Sequence, residues 1–144
     1  MKKHIDSQEI GLAGELRVMS ELILRGYNPA KSYIDNGIDF ILEDGTKIQV
    51  KTTLKKSSDK KGFMSYRFGM RKGNDKKKIN PSSYCHFIIC WGISDNQFWI
   101  IPANKIGNRA TISLSFPLKY KIGQFVKYLN NWDILGREVI KDAR

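Results

Sequence analysis

Asp39, Gln49 and Lys51 lie in the stretch GIDFILEDGTKIQVK, two short apolar runs joined by Asp44-Gly45. Strand side chains alternate between faces, so Gln49 and Lys51 share one face while Ile48 and Val50 take the other. A hairpin with a loop at residues 44–46 keeps the apolar side chains together. It pairs Asp39 with Lys51, Ile41 with Gln49 and Phe40 with Val50. Glycine near the loop centre suits a bulged three-residue turn, and a bulge within a strand gives the same facing. Two readings of this acid, amide and amine are open. One is a weak cross-strand ion pair on a solvated face. The other is a site that holds a divalent cation and stabilises a phosphate.

The element before this hairpin must position any further ligand. Residues 6–25 have a helical pattern, with Asp6 as N-cap, Glu9 completing a capping box and Gly26 as the stop. Leu12, Leu16, Met19 and Ile23 form one stripe at helical spacing and are the expected buried face, with Arg17 and Glu21 pointing away. Glu15 falls between Leu22 and Met19, at the edge of that stripe. An acid there either reaches to solvent or points into a site beside a sheet.

Residues 27–33 read as a short strand, with Pro29 favouring an edge or a strand start. Residues 63–70 give another strand and 81–84 a turn. A second hairpin spans 85–93 and 97–101 around Ser94-Asp95-Asn96. The run HFIICW is dense enough to be a central strand covered on both faces. A short helix at 102–106, a strand at 111–114 and a helix at 121–131 complete the pass. The chain reads as a single domain over 1–144, α/β, with a mixed β-sheet flanked by helices. No glycine-rich phosphate loop precedes a helix and no Ser/His/Asp or Cys/His set is present. His86 alternates with apolar neighbours as a structural histidine does. Cys85 and Cys90 face opposite ways, fit no zinc-ligand spacing and read as core residues of a reduced, cytoplasmic protein. No signal peptide or membrane span is read.

Net charge is +11, and its position matters more than its size. Residues 51–78 carry eleven Lys/Arg against two Asp/Glu, directly after Gln49-Val50-Lys51. Charge of that density fits a polyanion, bound through counterion release. A solvated lysine-rich loop is the plainer alternative.

With Gly14-Glu15 in the helix, Gly37-Ile38-Asp39 opening the hairpin and Gln49-Val50-Lys51 closing it, the chain resembles the PD-(D/E)XK nuclease superfamily. Within it, the chain is similar to the intron-associated homing endonucleases and related small bacterial nucleases. The resemblance covers about the first 105 residues. It implies a restriction-endonuclease-like core and a metal-dependent DNA endonuclease that hydrolyses phosphodiester bonds. Asp39 would be the principal Mg²⁺ ligand (Mn²⁺ substituting), with Glu15, Gln49 and the Val50 carbonyl completing the shell. Lys51 would position or activate the attacking water and offset developing charge. Lys55, Lys56, Lys60, Lys61, Arg67, Arg71 and Lys72 are the candidate DNA contacts, Arg67 also as a base reader. The partner would be double-stranded or branched DNA, met by a homodimer or homotetramer, since one small chain holds one site. The sequence departs from the family where Gln49 replaces an acid. That leaves a restriction-type or Holliday-junction-resolvase-like enzyme, or an inactive nucleic-acid-binding module, as alternatives.

Overall fold

A computed structural model describes residues 4–34, 36–70, 80–117 and 123–136. Helix α1 (Ser7–Leu24) opens it, with Asp6 accepting from the Glu9 N–H at 2.8 Å in the expected capping box. A five-stranded mixed sheet follows. Its spatial order is β1 (Ala30–Lys31), β2 (Phe40–Ile41), β3 (Lys47–Thr53), β6 (Phe87–Gly92) and β7 (Gln97–Pro102). Only β3 and β6 run parallel. Three further strands, β4 (Ser57–Ser58), β5 (Met64–Gly69) and β8 (Thr111–Ser115), make a separate antiparallel sheet.

The large sheet is covered on both faces. Val18 and Leu22 of α1 pack on Phe40, Ile48, Ile89, Phe98 and Ile100. On the other side Ile88, Cys90, Trp99 and Ile101 meet Tyr66, Phe68, Ile112 and Leu114 of the small sheet. The doubly covered β6 expected from HFIICW is present, and the mixed α/β core is as read from the sequence. The flanking helices are fewer. Among the described residues α1 is the only α-helix: the expected 121–131 helix, whose first two residues lie outside the described ones, holds a single 3-10 turn at Val126–Tyr128, and the expected 102–106 helix is one at Ala103–Lys105.

Three local expectations are corrected. The helix lies rotated by about a third of a turn. It buries Gly14, Val18 and Leu22, while Leu12, Leu16 and Ile23 are half-exposed. Arg17 and Glu21 turn toward the sheet: they are paired at 2.7 Å, and the Arg17 guanidinium lies 5.0 Å from the centre of the Phe98 ring. A glycine and a long arginine stem form a contact face that a count of apolar residues does not register.

The hairpin loop is residues 43–45, one earlier than expected, with Gly45 at φ +88° and the Asp44 carboxylate accepting from the Thr46 N–H. Phe40 therefore pairs with Ile48, not Val50, and Asp39 is not opposite Lys51. The shift is by two residues, which preserves every face and so satisfies the apolar pattern equally well. Cys85 precedes β6, and both cysteines lie unpaired in the same core cluster, not on opposite faces.

Candidate functional site

The site forms where β2 stops. It pairs with Lys47 and Ile48 only, so from Gln49 onward that edge of β3 has no strand beside it among the described residues. The Asp39 N–H and Phe40 both address Ile48, an extra residue of the kind that makes a β-bulge and redirects a side chain. The Asp39 backbone is fixed on both sides: its N–H donates to the Ile48 carbonyl at 2.8 Å, and its carbonyl accepts from the Ser32 N–H at 2.9 Å. The carboxylate then turns back on β3 and accepts the Val50 N–H at 2.7 Å. In a strand the N–H and C=O of one residue point to the same side. The Val50 carbonyl is therefore aimed at the same open edge as Asp39.

Glu15 arrives from above. Gly14 rests directly on Thr52, and a Cβ at that position would coincide with the Thr52 side chain. The close approach brings the Glu15 carboxyl within hydrogen-bonding reach of Asp39. Burial, then the hydrogen bond and the charge of Asp39, push Glu15 up to about 7, with Lys31 acting in the opposite direction. Two carboxyls held together at neutral pH share a proton or a cation. The Thr52 hydroxyl beneath Gly14 has no hydrogen-bond partner, a polar group buried by the helix contact.

Gln49 and Lys51 come from the opposite face of the sheet, paired with Ile88 and Cys90. Gln49 is 6% exposed, and its Oε1 accepts from the Tyr84 hydroxyl at 3.1 Å. Lys51 is partly buried, and that burial lowers its pKa despite the opposing charge of Asp39. Among the described residues it makes no salt bridge with Asp39, so the simple cross-strand ion pair is not what forms. Glu15, Asp39, Gln49, Val50 and Lys51 all line one cleft of about 490 Å³, with Tyr33 and Ile34 at its rim.

Tyr84 is not legible in the sequence as a site residue. Its ring packs against Gly37 so closely that a Cβ there would lie 2.8 Å from it, and its burial pushes the phenol up to about 12. It ties the loop before Asp39 to Gln49, though no spacing in the sequence links position 84 to either. His86 accepts from the Lys47 N–H at 2.9 Å, the structural role expected of it.

The basic residues divide. Lys55, Lys60, Lys61 and Arg67 are exposed. Arg67 projects from the outer face of the small sheet, where its neighbours are Ser65, Ser113 and Ser115. Lys56 is a correction: its ammonium is 2.9 Å from Asp95 and donates to the Phe116 carbonyl at 2.8 Å, so it ties strands together and is not free for a phosphate. Arg71 and Lys72 lie outside the described residues.

No protein-family model matches the chain, and no curated protein is detectably similar in sequence. Among solved structures the chain is similar to the bacterial homing endonuclease I-Ssp6803I, with a TM-score of 0.71 at 17% identity over 92% of each chain. The chain thus has a homing-endonuclease-like fold. Among the described residues no helix is long and apolar enough to cross a membrane.

Proposed function

We propose that this chain is a metal-dependent DNA endonuclease with a PD-(D/E)XK-type site that hydrolyses phosphodiester bonds. The observation that carries the reading is the convergence of Glu15, Asp39, Gln49, Val50 and Lys51 on one cleft at an open strand edge. The likeness of fold to a homing endonuclease supports a nuclease and favours the homing type over the restriction and junction-resolving types.

A hard divalent cation, Mg²⁺ or Mn²⁺, fits the donors. All are oxygens, and the two contacting carboxyls supply charge that a cation would relieve. Among the described residues no three His, Cys, Asp or Glu side chains cluster, so the set is two carboxylates completed by the Val50 carbonyl and the Gln49 amide. When bound, the cation supplies charge to polarise the scissile phosphate. Asp39 is fixed by its backbone and by the Val50 N–H, so it needs no rearrangement to bind. Burial favours the neutral amine of Lys51, which would take a proton from the attacking water and, as the ammonium so formed, offset charge on the phosphorane.

Double-stranded or branched DNA would approach over the cleft, with Lys55, Lys60, Lys61 and Arg67 neutralising phosphates. Cutting both strands requires two such sites, hence a homodimer or homotetramer acting in the cytoplasm. One observation favours a second reading, a DNA-binding module without activity: the Gln49 oxygen, standing where an acid is usual, is already bonded to Tyr84. Nicking of supercoiled DNA in Mg²⁺ or Mn²⁺ by wild type, Asp39→Asn and Lys51→Ala separates the two. Linear, supercoiled and four-way-junction substrates then separate the homing, restriction and resolving types.

A further inference from the structure

We infer that the outward stripe of α1 is the contact surface for a second copy of this chain, seated antiparallel about a twofold axis. The inference rests on the proposed function only for the need to bring two sites together. Leu12, Leu16 and Ile23 are 49%, 57% and 53% exposed, on the helix face turned away from the sheet. Met19, half-buried with its inner side on the core, sits between them, so the four repeat at intervals of four, three and four, and Ile5, just before the Asp6 N-cap, adds an exposed apolar side chain at the same end. That 3.5-residue period is the seam pattern of helix against helix. Among the described residues the chain has no other α-helix to fill it.

The patch is broadened at its cleft end by Tyr33, 94% exposed, and Ile34, 72% exposed. With Ile5, Leu12, Leu16 and Ile23 they offer on the order of 800 Å² of surface. That exceeds the few hundred Å² usual for an apolar patch on a monomer, and it matches what each partner of a standard interface buries.

The flanks agree with a self-complementary seam. Centred between Leu16 and Met19, the twofold sets Leu12 of one copy against Ile23 of the other and Leu16 against Met19. Glu15 then meets Ser20 and Glu9 falls opposite Gly26, so no like charges stand directly opposite each other across the seam. The axis stands perpendicular to the plane of the two helices. Glu15 lies about 60° round α1 from Leu12, so both clefts open on the same side of the pair, where one duplex can reach them.

The test is sedimentation equilibrium of the full chain across a concentration series, without DNA or metal. The expected result is a species of twice the 16.6 kDa chain mass, with association at least about tenfold weaker in Leu16→Gln and in Ile23→Gln. Both positions are exposed, and a circular dichroism spectrum equal to wild type confirms that the variants fold. As a second arm, Leu16→Cys combined with Met19→Cys should crosslink copies under mild oxidation. A wild type that stays monomeric at every concentration overturns the inference, as does association that both glutamine variants leave intact. A dimer that never nicks DNA supports the interface and removes the nuclease reading. A monomer that nicks does the reverse.

Discussion

Replacing Glu15 by Gln should make the metal-free protein more stable at pH 8, although it removes a site residue. The shift of Glu15 from 4.5 to about 7, at about 1.36 kcal/mol per pKa unit, bounds the effect at roughly 3 kcal/mol. The carboxyl is only partly buried, so solvent screening reduces this to on the order of 1 kcal/mol. The sign follows from linkage. The folded pKa is raised, so the contribution of Glu15 is fully present below pH 4.5 and is lost as pH rises to about 7. Wild type should lose stability relative to Glu15→Gln across that window, with the gap complete by pH 8. Urea titrations of both proteins at pH 4.5 and pH 8 measure it. Adding Mg²⁺ at pH 8 should then stabilise wild type and leave Glu15→Gln nearly unchanged, because a ligand stabilises only the state that binds it. Equal stability of the two proteins at both pH values, or a less stable Glu15→Gln at pH 8 without metal, would refute the carboxyl contact.

Other perturbations test the supports of the site. Gly14→Ala forces the helix off Thr52 and should cost about 1–3 kcal/mol in thermal or urea unfolding, with weaker metal binding as Glu15 is carried away. Tyr84→Phe removes the bond to Gln49 and should lower stability by about 1 kcal/mol. It should also raise the Mg²⁺ concentration needed for half-maximal nicking more than it lowers the maximal rate. Lys60→Ala and Arg67→Ala should each make the slope of log affinity for DNA against log salt shallower by about 1, as expected when one phosphate is no longer neutralised. Lys56→Ala should instead lower the melting temperature and leave that slope unchanged.

The parts legible in the sequence are those fixed by short-range pattern. The Asp6-Glu9 capping box marks the start of α1, the alternation in GIDFILEDGTKIQVK puts Gln49 and Lys51 on one face, and the density of HFIICW marks the central strand. Rotation of α1 is not legible, because its sheet-facing side is built from Gly14, Val18, Leu22 and arginine stems while the clearer apolar stripe faces outward. Hairpin register is ambiguous by two residues, since either choice keeps Phe40 and Ile48 on the core face. The helix expected at 121–131 rests on spacing alone, and apolar spacing serves short turns docked on a core equally well. Helical spacing puts Glu15 at the edge of the apolar stripe and leaves it between solvent and a site, and only the family resemblance singles it out as a site residue. Tyr84 depends on a contact between distant positions that no local pattern encodes.

The most direct test of the central claim is nicking of supercoiled DNA in Mg²⁺ or Mn²⁺ by wild type beside Asp39→Asn, a substitution that keeps the side-chain size. Asp39→Asn must first be shown by electrophoretic mobility shift to bind DNA as wild type does. Metal-dependent nicking by wild type, absent in chelator and abolished in Asp39→Asn, is the predicted result. Wild type that binds DNA without nicking it in either metal, or nicking that survives in Asp39→Asn, would contradict the account.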